Sequence, residues 1–381
     1  MKKISTIILF SVLISISNTK AQIGNLDTTF NLTGKATTDF SNGSDGATAL
    51  IIQHDGKIVT CGWSQISNNY NFALVRYNTD GSLDTTFGGT GKVNQDFAGG
   101  FDQALCLAQQ IDDKIVAAGG VMHNGVEEIS LMRFNTDGSL DTSFGVFGKV
   151  NTPVSTADAG ANSIAILPDG RFVVCGICTT LSGGHDIVVV RYTLNGSVDY
   201  TFGTNGMTIT DVNSFSDDYP FSIKLQDDGK ILVGGASGVD PVFDFVTLRY
   251  DSTGALDASF GTSGIAITNF GKQDEWGNAL AIQPDGKIIN AGVSGSPYNF
   301  AMVRLNTDGS IDSTFNSTGK VLSAFNPSVT GNAIAIDTAS GNIIMGGTSM
   351  VSGARDFCIA RYLSNGLVDS AWGGTGFVTT D

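Results

Sequence analysis

One five-residue mark constrains this chain more than any other feature. An aliphatic residue, then Asp, two variable residues and Phe or Trp begin at Leu26, Leu83, Leu140, Val198, Leu256, Ile311 and Val368, spaced by 57, 57, 58, 58, 55 and 57 residues. A fixed period of this size means a tandem array of one supersecondary unit, which buries its core by stacking on its neighbours. The text between marks is periodic too. Each unit has two apolar stretches around a turn, as in "ALAIQPDGKIINAG" at 279–292. A third apolar stretch ending in Arg follows, as in "FALVRY" at 72–77, and then "NTDGSLDTTFG" and "GKVNQDF".

Each unit reads as four short strands. The runs are rich in Val, Ile, Phe and Tyr and are bounded by Gly, Asn and Asp, which are strand and turn signals. Pro-Asp-Gly between the first two predicts a two-residue hairpin turn. Phe72, Leu74 and Arg76 alternate with Ala73, Val75 and Tyr77, so both faces of the third strand are largely apolar, as a sheet packed between two others requires. No stretch after the leader carries a ten-residue helical stripe. Four-stranded units in tandem predict an all-β propeller, one domain over residues 22–381 with about six 57-residue repeats. Six blades are expected, with seven as the alternative. Six units are complete in strands one to three, but the fourth-strand motif occurs seven times, first at 34–40 and last at 376–381. One terminal copy would close the ring beside the other terminus and the second is left over. A seventh blade would need strands that this sequence lacks.

The linked pattern "DGKIxxxGG…RYNxDGSLDxxFG" resembles the delta-60 repeat, a β-propeller family of unknown function, over nearly all of residues 25–381, with a kelch-like blade pattern. The resemblance implies a propeller and an exported location. It implies no activity.

The residues at the start agree on export. Lys2 and Lys3 precede an apolar run from Ile7 to Ile16, and Thr19 and Ala21 are small residues at the −3 and −1 positions of a cleavage site after Ala21. Residues 1–21 are therefore expected to be a signal peptide and the protein to be secreted or at the cell surface. No later apolar run is long enough to span a membrane. The formal net charge is −15, and loss of Lys2, Lys3 and Lys20 makes it three units more negative. That argues against nucleic acid, whose binding draws on clustered Lys and Arg. A monomer is expected.

Repetition assigns many residues to structure. Arg76, Arg133, Arg191, Arg249, Arg304 and Arg361 share one position, and a catalytic arginine is needed once. The Asp of the mark (Asp27, Asp84, Asp141, Asp199, Asp257, Asp312, Asp369) is the natural bidentate partner, with Phe or Trp packed beside the pair. Four of the five cysteines stand where other units have small residues. Cys175 and Cys178 form a Cys-x-x-Cys, but on a strand that spacing sends the side chains to opposite faces. No histidine spacing or Gly-x-Ser-x-Gly elbow points to hydrolysis.

The variable loops fall on one face of such a ring, between strands two and three and between successive blades. An acid precedes the innermost strand in five blades: Asp45, Asp102, Asp158, Asp218 and Glu275. Tyr219 and Trp276 follow two of them. One reading makes these carboxylates the rim of a ligand site at the channel mouth; the other has them bond neighbouring loop amides. The resulting expectation is a non-enzymatic binding or surface-interaction scaffold for an extracellular glycan or protein. Its ligand-site residues are Asp45, Asp102, Asp218, Tyr219, Asp274, Glu275 and Trp276. No catalytic residue and no resident cofactor is assigned, calcium being the one ion considered. The alternative is a calcium-assisted hydrolase or lyase acting on an extracellular substrate such as a glycan or lactone.

Overall fold

The repeated runs fold as strands because their β-branched and aromatic residues meet apolar partners on both faces. The structure is a computed structural model that describes residues 24–40, 43–123, 125–154, 158–180, 184–325, 328–351 and 353–381. The expected signal peptide and its cleavage point lie outside the described residues. The first blade comprises β1 (Asp45–Ile52), β2 (Ile58–Ile66), β3 (Asn69–Tyr77) and β4 (Lys92–Gln95). The second comprises β5 (Asp102–Gln109), β6 (Ile115–His123), β7 (Val126–Phe134) and β8 (Lys149–Thr152). The third comprises β9 (Ala159–Ile166), β10 (Phe172–Thr179), β11 (His185–Tyr192) and β12 (Met207–Thr210). The fourth comprises β13 (Asp217–Leu225), β14 (Ile231–Val239), β15 (Val242–Tyr250) and β16 (Ile265–Thr268). The fifth comprises β17 (Glu275–Ile282), β18 (Ile288–Ser294), β19 (Asn299–Leu305) and β20 (Lys320–Ser323). The sixth comprises β21 (Val329–Ile336), β22 (Ile343–Val351), β23 (Ala354–Tyr362) and β24 (Phe377–Thr380). Each sheet is antiparallel with its strands in chain order, so the molecule is a six-bladed β-propeller. The innermost strands line a central channel, where Thr48, Leu105, Asn162, Phe221, Asn278 and Asn332 sit at equivalent positions.

Two local features depart from simple hairpins. The turn in "QPDGK" holds three residues, not two: Gln283 N–H donates to Lys287 O at 2.8 Å and Gly286 takes φ +81°. Gly at that left-handed position closes a three-residue hairpin without the clash a Cβ would bring. Every innermost strand also carries a bulge, as between Ala47 and Ala49 or opposite Cys175 and Gly176. The bulge brings the Gly160 carbonyl oxygen within 1.9 Å of where a Cβ on Gly176 would stand, so the second strand needs glycine there.

The marks form the interblade nodes. Arg76 lies over the Phe87 ring, its Cζ 4.6 Å from the centroid, and its Nε donates to Asp84 Oδ2 at 2.7 Å. Its Nη1 donates to the Thr136 carbonyl of the next blade. The same three contacts recur at Arg133, Arg191, Arg249 and Arg304. The expected bidentate pair is not what forms in these five. Arginine takes one oxygen, shared with a lysine or second arginine, because the other accepts from the mark's own Thr or Ser, as from Thr86 at 2.7 Å. The five cysteines are free and buried, with Cys175 and Cys178 in different core clusters on opposite faces of β10.

Successive innermost strands pack side by side from β1 to β21, but β21 and β1 make no contact of that extent among the described residues. The C-terminal copy of the fourth-strand motif is β24, paired within its own blade. The left-over copy is therefore the N-terminal one, which forms no strand. It lies between the sixth blade and the first, with Gly24 against Val378 and Asn31 bonded to Asp80.

Candidate functional site at the channel mouth

The two variable loop sets do share one face. Tyr70 at the start of β3 pairs with Phe101 ahead of β5, and His185 at the start of β11 packs on Tyr219 of β13, ring centroids 5.4 Å apart. Register then sorts the acids. Asp45, Asp102, Asp218 and Glu275 occupy one position, each four residues before the residue paired just past the bulge. Ala159 and Val329 fill it in the other two blades. Asp158 stands one residue earlier, in register with Asp217 and Asp274.

The first set faces inward. Asp102, Asp218 and Glu275 are fully buried. Asp102 accepts from Phe97 and Ala98 N–H, and Asp218 from Val212 N–H at 2.7 Å and the Ser216 hydroxyl at 2.8 Å. Glu275 accepts from Phe270 and Lys272 N–H, and the partly exposed Asp45 from Phe40 N–H at 2.9 Å. Each carboxylate thus pins the loop that leads into its own strand. Burial pushes the Asp102, Asp218 and Glu275 carboxyls up, against the loop amides that hold the charged form.

The second set ties neighbouring loops. Asp158 accepts from Glu127 N–H and Asp217 from His185 N–H, each joining a blade to the preceding one. Asp274 breaks this pattern. Its backbone is left-handed, φ +66°, an uncommon conformation for a residue with a side chain. Its carboxylate accepts from Trp276 Nε1 at 2.7 Å and from the Tyr298 hydroxyl at 2.5 Å. Burial, then the adjacent Asp274, push the Tyr298 hydroxyl up to about 12.

Around Asp274 the fourth and fifth blades build an aromatic cluster. Trp276 stacks on buried Phe243 at 4.6 Å and lies 5.6 Å from Tyr219 and 6.1 Å from Phe221. Tyr219, Phe221, Trp276 and Tyr298 are each partly exposed. Tyr219 and Trp276 are therefore brought together with Asp274, whereas Asp45 and Asp102 lie in other blades. Sequence reasoning missed Phe221, Phe243, Tyr298 and His185. The aromatic doublet "DDYPF" carried part of that signal; the rest comes from different blades. The same face also brings carboxylate oxygens of Asp186, Asp211 and Asp218 within 4.8 Å of one another, a donor set suited to a hard cation.

The chain matches no curated protein. In fold it is similar to a protein of unknown function from Dyadobacter fermentans, at 12% identity and TM-score 0.53, over 84% of this chain and 94% of that one. It is similar to the hydrazine synthase of Kuenenia stuttgartiensis, at 13% identity and TM-score 0.50, over 85% of this chain and 78% of that one. A sialidase from Trypanosoma rangeli, solved with the inhibitor DANA, gives 7% identity and TM-score 0.51, over 85% of this chain and 55% of that one. At these identities the likeness is one of fold. The family model described as "Domain of unknown function (DUF5122) beta-propeller" matches residues 53–87, 110–144, 167–202, 226–260, 283–315 and 338–371, once in each blade, from the turn before its second strand into its mark. These six matches cover more than half of the chain, which therefore belongs to the DUF5122 β-propeller family.

Proposed function

We propose that this propeller is a non-enzymatic, exported binding module that takes a carbohydrate chain at the aromatic cluster on its variable-loop face. The supporting observation is the grouping of Tyr219, Phe221 and Trp276, partly exposed, around the Asp274 carboxylate, which bonds the side chains of Trp276 and Tyr298 and not the backbone amide of a neighbouring blade. Rings held on a rigid scaffold offer apolar faces to a sugar ring at little entropic cost, and Asp274 supplies a fixed acceptor for a hydroxyl. Two of the other expected site residues serve this reading indirectly: Asp218 and Glu275 fix the loops that lead into β13 and β17, the strands that carry Tyr219 and Trp276.

The test is a glycan-array screen of the protein with and without calcium, followed by calorimetry on the best ligand. Tyr219→Ala is expected to weaken binding tenfold or more while leaving the melting temperature within a few degrees. Binding that survives both Tyr219→Ala and Asp274→Asn would place the ligand elsewhere. A second reading, a calcium-assisted hydrolase or lyase, draws on Asp186, Asp211 and Asp218. It predicts turnover of a bound glycan that calcium restores after chelation.

A further inference from the structure

The segment between the sixth and first blades has the bonding of a blade's outer quarter. Phe30 N–H donates to Asp27 O and Gly34 N–H to Phe30 O, as Phe87 does to Asp84 and Gly91 to Phe87. Asn31 N–H donates to Asp80 O at 2.6 Å, as Gly88 does to Asp137 O at 2.7 Å one blade further on. The Thr38 and Tyr77 hydroxyls meet at 2.6 Å, as those of Thr152 and Tyr192 do at 2.8 Å. Lys92 Nζ donates to Asp39 O as Lys149 Nζ donates to Asp96 O. On the other flank, a Cβ on Gly24 would stand 2.7 Å from Val378, the fit that Gly138 makes against Val93 at 2.9 Å. Residues 24–40 are thus seated on both neighbours as the mark and outer edge of a seventh blade.

Among the described residues, the three inner strands of that blade are what the sector lacks. Phe357 and Ile359 of β23 are 73% and 42% exposed, whereas their counterparts Phe72, Leu74, Phe300 and Met302 are fully buried by the next blade. Across the sector Leu50 of β1 is 62% exposed, while Leu107, Ile223 and Leu280 at the same position are buried. A Cβ on Gly234 would collide with Leu280 of the following blade at 2.6 Å; one on the equivalent Gly346 would meet nothing within 4 Å. Asp27 is exposed and accepts from Thr29, and among the described residues it forms no ion pair. The other six marks each hold an arginine from the third strand of their blade.

We propose that this sector is a docking site for a three-stranded antiparallel β-segment of a partner polypeptide, whose last strand carries an arginine for Asp27. Two apolar flanks one blade apart call for a sheet that is apolar on both faces. The unpaired carboxylate fixes the charge and place of its one cation, and the outer segment offers a backbone edge for strand addition.

The probe is this chain's own residues 102–134, the inner strands of the second blade with Arg133, carried on a solubility tag. The full chain is expected to form a 1:1 complex with it by calorimetry and light scattering. Arg133→Gln in the probe and Asp27→Asn in the chain should each weaken binding tenfold or more, and Phe357→Lys should abolish it. Because the probe can fail to fold alone, a second arm appends residues 96–134 after Asp381 of the full chain. That extension is expected to raise Tm by about 5 °C or more, a gain reduced by Asp27→Asn, which leaves the unextended chain unchanged. No complex and no rise in Tm would overturn the proposal. A rise in Tm with no complex overturns a separate partner, and binding indifferent to Asp27→Asn and Phe357→Lys overturns the sector. Dimerisation of the unextended chain that Phe357→Lys abolishes makes a second copy the occupant and overturns it equally.

Discussion

Two sets of carboxylates hold this ring together, one at the marks and one at the channel mouth, and they are held by opposite means. At the marks, Asp84 meets Arg76, Lys57 and Thr86; burial alone would raise its carboxyl, yet these partners together hold it far below the usual range. Asp141, Asp199, Asp257 and Asp312 behave alike. At the mouth, Asp102, Asp218 and Glu275 accept mainly from loop amides and hydroxyls with no ion-pair partner among the described residues, and burial raises them. The difference teaches that a buried acid is a fastener in both places, but only the paired one is comfortable as an anion.

The largest break in this comparison comes from removing a cation at a mark. Arg191→Ala strips Asp199 of its buried arginine, leaving it Arg171 and Thr201, strips the next blade of a bond to Ser252 O, and is expected to cost about 3 kcal/mol in chemical denaturation. Arg361→Ala should cost clearly less, because its side chain is 28% exposed beside the open sector. A smaller loss is expected at the mouth. Asp218→Ala leaves the Val212 amide without its acceptor and should cost about 1–3 kcal/mol, whereas Asp218→Asn retains an acceptor and should cost less.

The mildest perturbation is pH, and here the two sets have opposite signs. The marks' folded pKa values lie below the unfolded value of about 4, so their stabilisation is complete above pH ~4 and is lost as pH falls below it. The mouth carboxyls have folded values above the unfolded one. Folding disfavours their charged form, so stability rises as pH falls from neutrality through the folded pKa and levels off near the unfolded value. Tm is expected to climb slightly as pH falls from neutral toward ~4 and to collapse below it. Asp218→Asn should flatten the upper limb and leave the lower one intact.

The blades and their nodes were legible because repetition turns one motif into many observations: an Arg and an Asp eight residues apart, six times over, have one economical explanation. The ring count followed for the same reason. The mouth was less legible. Asp158 and Asp218 look equivalent beside their loops, and only strand register shows that one ties the preceding blade while the other pins its own loop. The aromatic cluster joins Phe243, Trp276 and Tyr298 from two blades across loops of unequal length, and no local spacing encodes that. The role of residues 24–40 was hidden for a different reason. Their text is that of a complete mark, and what distinguishes them is that, among the described residues, no inner strands of their own stand beside them.

The five buried thiols have a consequence for how this protein fails. Burial raises Cys61, Cys175 and Cys178 to about 12, so at neutral pH only about one in 10⁵ of each is thiolate, the nucleophile that attacks oxidants and disulfides. The fold is thus the protecting group for its own sulfur chemistry. Opening the ring would release an odd number of thiols at once into whatever medium surrounds it. In an oxidising one they cannot all pair within the chain, and a reversible opening becomes a one-way reaction between molecules.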